Sequence, residues 1–186
     1  MTFSKIKLFL LTAISAFLLF SCSESSKNTI DSFPDRASVP VLRTMDIVTM
    51  VSDSGITRYR ISAAEWAVFD KAAEPFWDFP QGILFERFDN ELQTDANITS
   101  DKAVFFTEKQ LWELTGNVRA TNLDGEVFET QKLFWNQKEE RIYSGEAISI
   151  TQADKIIKGM GFESNQTLSK YTITKVTGIF PVNEND

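Results

Sequence analysis

Short segments of β-forming residues, separated by turn residues, run through most of this chain and restrict it to all-β folds. Strand patterns cover residues 45–51, 56–61, 83–88, 103–106, 118–121, 147–151 and 171–176. Turn signals rich in Gly, Asp, Asn and Pro occur at residues 53–55, 80–82, 115–117 and 122–125. Short strands at this spacing are typical of a sandwich, jelly roll or barrel. Residues 62–73 fit either a helix or a strand, and we predict a strand.

The alternation of side chains indicates how these strands are buried. Tyr59 and Ile61 share one face while Arg58 and Arg60 share the other, as expected for a strand with one wet face. Residues 104–106 and 156–157, in contrast, are apolar on both faces. Strands that are apolar on both faces indicate two packed sheets, or an inner cavity with a covered edge.

A weak internal repeat occurs at an offset of 29 residues. Gly116 aligns with Gly145, Lys109 with Lys138, and residues 125–137 align with residues 154–166. Each unit is predicted to hold two or three strands with a glycine at the turn. Stacked units of this kind bury a shared core and can build a long trough.

The N-terminus carries the pattern of an exported, lipid-anchored chain. Lys5 and Lys7 precede thirteen residues, 8–20, that are apolar except at two positions, and Ser21 stands directly before Cys22. This order predicts a lipoprotein signal peptide over residues 1–21 and acylation of Cys22. The run is shorter than the roughly 20 residues that a membrane span needs, although an uncleaved anchor stays open as an alternative. Cys22 has no partner for a disulfide because it is the only cysteine in the sequence.

The rest of the chain divides into a tether, one folded domain and a short tail. Residues 22–40 are polar and contain proline, which is typical of a flexible linker. We predict the domain over residues 41–182 and the tail over residues 183–186. After loss of the signal peptide, 17 basic residues face 26 acidic ones. Such a balance disfavours nucleic acid, whose binding rests on Lys and Arg at the phosphates.

The sequence does not support a catalytic or metal-dependent function. It contains no histidine, which removes the usual nucleophile triads and most zinc sites. The Gly-x-Gly at residues 159–161 has no third glycine and predicts a bulge rather than a cofactor loop. Residues 95–101 lack the glycine and terminal glutamate of a calcium loop and predict a turn. We therefore predict a protein that is not an enzyme and has no cofactor; a carboxylate-based hydrolase is a minor alternative.

Aromatic residues are abundant, with 16 Phe and 4 Trp. They can fill an ordinary core, or they can line a trough for lipid. In a trough, each methylene of an acyl chain that leaves water gains about 0.8 kcal/mol, so shape and apolar area alone can hold several chains.

Several segments, in their order and spacing, resemble the LptC family. They are residues 43–46 (RTMD), 52–61 (SDSGITRYRI), 65–70 (EWAVFD), 114–118 (LTGNV), 122–126 (NLDGE), 128–130 (FET), 133–135 (LFW) and 159–162 (GMGF). The resemblance spans residues 41–182.

The resemblance implies an open, twisted β-jelly roll of antiparallel strands with an apolar groove. A family member would receive lipopolysaccharide from an inner-membrane ABC transporter of the LptB/LptF/LptG type and pass it to an LptA-like bridge by strand addition. It would work in the periplasm, held at the inner membrane. Familiar members of the family have a transmembrane helix, whereas this chain has the predicted lipid-attachment site at Cys22. The alternative is an adaptor lipoprotein that pairs its edge strands with a partner and binds no lipid.

The resemblance also suggests positions for these functions. The expected groove residues are Phe69, Phe85, Phe105, Ile148, Ile150 and Phe162. The expected partner edges are Thr44, Ile47 and Thr49 on the transporter side, and Tyr171 and Ile173 on the bridge side.

Overall fold

The computed structural model describes residues 35–53 and 55–181, and its regular structure there is entirely β. Every strand pair is antiparallel, so the all-β, antiparallel jelly-roll prediction is confirmed. The strands are β1 (Leu42–Asp53), β2 (Ile56–Phe69), β3 (Phe76–Phe79), β4 (Ile83–Phe88), β5 (Thr94–Ser100), β6 (Lys102–Phe106), β7 (Leu111–Asn122), β8 (Val127–Asn136), β9 (Arg141–Thr151), β10 (Lys155–Asn165) and β11 (Tyr171–Pro181).

The sheet is an up-and-down meander in which neighbouring strands follow one another along the chain, once two pairs of short strands are each counted as one divided strand. β3 and β4 act as two parts of one strand, because both pair with β2, through residues 67–69 and 59–62 respectively. β5 and β6 form a second divided strand, because both pair with β7. The order from β1 to β11 in the sheet therefore follows the order in the sequence.

A line of irregular positions crosses the middle of the sheet, and we call it the crease. Asp46, Gly82, Gly116 and Gly161 lie on it with φ of 51°, 92°, 77° and 75°. Register shifts mark it where β7 pairs with β8 and where β9 pairs with β10. Bulges of this kind bend a strand and increase its twist. The crease divides the sheet into a β3–β6 half and a β4–β5 half, and each long strand contributes to both.

The two halves pack against each other through their inner faces. In the β4–β5 half, one cross-strand row runs through all the strands, and its six central members are at most 5% exposed. These six are Ile61, Phe85, Ile98, Ala120, Phe128 and Ile150. The facing row of the β3–β6 half consists of Trp77, Phe105, Trp112, Trp135 and Ile142. Burial of this apolar area is the main stabilisation of the domain.

Aromatic contacts show that these rows meet across the interior. The ring of Trp135 lies 5.6 Å from that of Tyr59 and 4.7 Å from that of Phe85. Phe128 lies 5.5 Å from Phe162. The two packed layers predicted from residues 104–106 and 156–157 are thus the two halves of one folded sheet.

The strand predictions are confirmed at all seven segments. Of residues 62–73, also predicted as strand, residues 62–69 belong to β2, whereas residues 70–73 form a turn. Two turn predictions are wrong. β7 continues through residues 115–117 with a bulge at Gly116 and Asn117, and residues 95–100 lie in β5 rather than in a turn. The offset of 29 residues maps β7 onto β9 and β8 onto β10, so the repeat unit is a strand pair. Its glycines, Gly116 and Gly145, lie inside strands near the crease rather than at a turn.

Candidate functional site

The inner face of the folded sheet is the main apolar surface of the domain. Its aromatic side chains stack from strand to strand: Phe105 lies 5.2 Å from Trp77 and 4.6 Å from Trp112, between ring centroids. Trp112 stacks in turn at 6.4 Å from Trp135. Alternation of large side chains on one face of each strand produces this continuous layer.

The space between the halves is closely filled. The cavity lined by Phe85, Arg87, Trp135, Ile142 and Gln166, among others, has a volume of about 10 Å³. This is about the least that holds one water molecule. This cavity is therefore too small to hold an acyl chain.

Five of the six expected groove residues lie together on the inner face. Phe85, Ile148, Ile150 and Phe162 are buried, and Phe105 is half-buried against Trp112. Phe69 lies apart from them. It pairs with Phe76 across β2 and β3, on the face opposite Trp77, and its ring stacks 4.6 Å from that of Phe76.

Both ends of the sheet are open within the described residues. There, β1 has only β2 as a sheet neighbour and β11 has only β10. Apolar side chains in register with the inner rows are exposed at these ends: 38% for Val51 on β1, and 52% and 63% for Val176 and Ile179 on β11. An edge of this kind is a template for pairing with another strand.

The expected edge residues lie on these two strands with their side chains half-buried. Thr44, Ile47 and Thr49 are on β1, and Ile47 packs against the core. Tyr171 and Ile173 are on β11 and also pack against the core. Their side chains therefore contribute to the inner face, and the strand backbones form the edges.

A polar network joins the two halves at the side where β10 turns into β11. The Asn122 amide donates to the Leu168 carbonyl at 3.0 Å and to the Glu126 carboxylate at 2.8 Å. The Tyr171 hydroxyl donates to the same carboxylate at 3.2 Å and accepts a hydrogen bond from Gln152 at 2.9 Å. Gln152 also donates to Glu126. We call these five residues the polar latch.

The latch has an unusual electrostatic setting and no signature in the sequence. Burial raises the pKa of the Tyr171 hydroxyl to about 12, and the adjacent Glu126 carboxylate acts in the same direction. Asn122 and Leu168 are buried, although both stand in turn-like sequence. The members come from three separate turns, so that only the folded chain brings them together.

Two charged pairs differ in position: Arg60 and Glu86 lie on the face opposite Ile61 and Phe85, whereas Arg87 lines the small cavity between the halves. Arg60 binds Glu86 through two hydrogen bonds, of 2.5 and 2.6 Å, and this bonding lowers the pKa of Glu86 below its usual range. Arg87 pairs with the buried Asp95 at 2.5 Å, where burial nevertheless raises the pKa of the Asp95 carboxyl.

The outer face of the β4–β5 half carries a depression of about 680 Å³. Its lining includes Arg119, Glu129, Ser149 and Lys158, which form a cross-strand row on the side opposite Ala120 and Phe128. This mixed-charge row differs from the apolar inner face, although one of the expected groove residues, Ile148, also lines the depression.

Residues 35–53 and 55–181 hold no group of three or more metal-ligating side chains that could bind an ion. No helix in that part of the chain is long and apolar enough to cross a membrane. Cys22 and the apolar run at residues 8–20 lie outside the described residues.

Comparison with known proteins places the chain in one family. The family model of LptC, described as "Lipopolysaccharide-assembly, LptC-related", matches residues 8–180. None of the curated proteins with which the chain was compared matches it significantly. Since the family model covers nearly the whole chain, and the antiparallel β-jelly roll agrees with it, this chain belongs to the LptC family and takes part in lipopolysaccharide transport or assembly.

Proposed function

We propose that the protein is a non-catalytic carrier that receives lipopolysaccharide from an inner-membrane ABC transporter and passes it to a periplasmic bridge protein. One observation carries the proposal: a continuous apolar inner face extends across the whole sheet and is exposed at both open edges. A surface of this kind suits acyl chains, which gain roughly 0.8 kcal/mol for each methylene removed from water.

The indole groups of the inner face support a ligand that has hydrogen-bond acceptors as well as acyl chains. Within the described residues, the N–H groups of Trp66, Trp112 and Trp135 are buried and have no acceptor. Buried donors in proteins are nearly always paired. The ester and amide carbonyls at the base of the acyl chains would supply acceptors to these groups.

The two open edges support a direction of transfer. β1 would face the LptB/LptF/LptG-type transporter through Thr44, Ile47 and Thr49, and β11 would face an LptA-like bridge through Tyr171 and Ile173. A bridge strand that pairs with β11 would continue the sheet, and with it the inner face, into the next protein.

The N-terminus supports an anchored position in the periplasm. In this proposal residues 1–21 are removed, Cys22 carries lipid in the inner membrane, and residues 22–40 tether the domain of residues 41–182 close to the transporter. An uncleaved segment at residues 8–20 is the alternative anchor.

Site-specific photocrosslinking in cells tests the carrier function. A photoreactive amino acid at Phe105, on the inner face, should crosslink to lipopolysaccharide, and so should one at Ile148. Phe106 is the matched control, since it is the neighbouring phenylalanine on the opposite face of β6. Equal crosslinking from Phe105 and Phe106, or none from a scan of the inner face, would refute the proposal.

The closely filled interior favours a second candidate, an adaptor that pairs with partner strands and binds no lipid. Depletion of the protein separates the two functions. If the protein is a carrier, lipopolysaccharide should accumulate at the inner membrane after depletion. If it is an adaptor outside the transport route, the amount of lipopolysaccharide at the cell surface should stay unchanged.

A further inference from the structure

We infer that the polar latch holds the two halves of the sheet together at the β10–β11 side, and that its release opens the interior to an acyl chain. Control of opening by the latch is a property of the protein alone. Entry of an acyl chain through the opened latch rests on the proposed carrier function.

The latch bonds cross from one half of the sheet to the other. In the β4–β5 half, Asn122 is the last residue of β7, Glu126 directly precedes β8 and Gln152 directly follows β9. Leu168 and Tyr171 belong to the β10–β11 turn and the start of β11, in the β3–β6 half. The hydrogen bonds from Asn122 to Leu168 and from Tyr171 to Glu126 therefore span the opening between the halves, opposite the crease.

An apolar plug accompanies these bonds. The side chain of Leu168 is fully buried in the core cluster, and its backbone has a φ of 57°. A left-handed conformation is costly for leucine, and it persists where surrounding contacts hold it. The Phe128 ring packs against the Tyr171 ring, with the ring centroids 5.2 Å apart and the ring planes nearly perpendicular.

The polar groups of the latch add little to the free-energy cost of opening. All its hydrogen-bonding groups can bond to water once the halves separate, so opening exchanges protein bonds for water bonds. An all-apolar seam would instead expose hydrocarbon to water with no such compensation. The latch also lies beside β11, an open edge, so that opening there would join the interior to that edge.

Hydrogen–deuterium exchange of the full chain in detergent tests the control of opening. In the turn, the Leu168 amide donates to the Asn165 carbonyl and the Asn165 amide to the Lys170 carbonyl, so exchange of both amides reports whether the turn that the latch holds stays ordered. Tyr171→Phe removes two latch bonds and keeps the ring, so exchange at residues 165–168 should become about tenfold faster, equivalent to about 1.4 kcal/mol. Acrylamide quenching of tryptophan fluorescence should rise in the same variant.

Tyr143→Phe is the matched control. Tyr143 lies on the outer face of β9, in register with Phe134 and stacked 5.2 Å from it. It should change neither exchange in the turn nor tryptophan quenching. If Tyr171→Phe behaves like Tyr143→Phe while circular dichroism shows both folded, the latch does not control opening and the inference is overturned.

Crosslinking to lipopolysaccharide from Phe105, in the same variants, tests the second part. More crosslinking in Tyr171→Phe than in the parent chain supports lipid entry through the latch. Faster exchange with unchanged crosslinking would overturn that role while leaving the carrier function intact. Faster exchange with no crosslinking in either protein would instead refute the carrier function, and the latch would stand as a conformational element only.

Discussion

Gly116 and Gly145 allow a paired test of the crease. The two glycines are equivalent by the 29-residue repeat, yet their surroundings differ. Gly116 has a φ of 77°, and a Cβ there would lie 2.7 Å from the Asp101 carboxylate. Gly145 is exposed, and a Cβ there would meet no atom within 4 Å. We expect Gly116→Ala to destabilise the domain and Gly145→Ala to be neutral or stabilising.

The magnitude follows from two costs at Gly116. The left-handed conformation costs an alanine roughly 1–2 kcal/mol. The Asp101 carboxylate must also move away from the new methyl group, which weakens its 2.8 Å hydrogen bond from Asn117, a loss of about 0.5–1.5 kcal/mol. Gly145→Ala should instead gain up to about 1 kcal/mol, because the unfolded chain loses conformational freedom. Gly116→Ala has the same gain, which cancels in the comparison, so the two variants should differ by roughly 1.5–3.5 kcal/mol in free energy of unfolding.

Urea unfolding followed by tryptophan fluorescence measures this difference. With a slope of about 2 kcal/mol per molar urea, the two midpoints should lie roughly 1–2 M apart. Gly116→Asn provides a further comparison, since asparagine tolerates the left-handed region better than alanine. A smaller loss for Asn than for Ala would assign the cost to the backbone conformation.

Equal midpoints for Gly116→Ala and Gly145→Ala would refute the reasoning. The bulge at Gly116 would then relax without cost, and the crease would not depend on glycine at this position.

Three further predictions concern the core, the surface ion pair and the anchor. Ile150→Ala should cost about 2–5 kcal/mol of stability because Ile150 is fully buried, whereas the exposed Ile179 should tolerate alanine with little loss; thermal unfolding compares them. Glu86→Gln should destabilise the domain at pH 7, but progressively less below pH 4.5, the usual pKa of the carboxyl. The depressed pKa of Glu86 stabilises the fold only while the group is ionised. Urea midpoints at pH 7 and pH 3 test this, and a loss of stability that does not shrink at low pH contradicts it. Cys22→Ala should release the protein from the membrane fraction without unfolding it, and retention of the variant there would indicate an uncleaved anchor at residues 8–20.

The sequence predicted best those strands in which apolar and polar side chains alternate regularly. Residues 56–61 and 147–151 alternate cleanly and both lie in strands, in which Ile61, Ile148 and Ile150 are buried as expected. β5 was missed because residues 94–100 are mostly small or polar, and their burial comes from the neighbouring strands. β10 was recognised only at residues 156–157, because Gly161 switches which side chains face inward and no single period fits the whole strand.

The candidate site was predictable in its chemistry but not in its arrangement. An apolar face follows from the many aromatic residues, and five of the six expected groove residues do share it. Phe69 is as apolar as these residues, but the register between β2 and β3 places its side chain on the other face of the sheet. The latch could not be found in the sequence, because Asn122, Gln152 and Tyr171 become neighbours only when the sheet folds at the crease.

The sequential meander makes the length of this domain easy to vary. Each 29-residue unit contributes two antiparallel strands, so a duplicated unit inserted after β10 would leave the direction of the final strand unchanged. Strands lie about 4.8 Å apart in a sheet, and each such unit would therefore lengthen the inner face by roughly 10 Å. The distance between the first and last edges can thus be adjusted in fixed steps, by gain or loss of one unit, without altering the strands that form those edges.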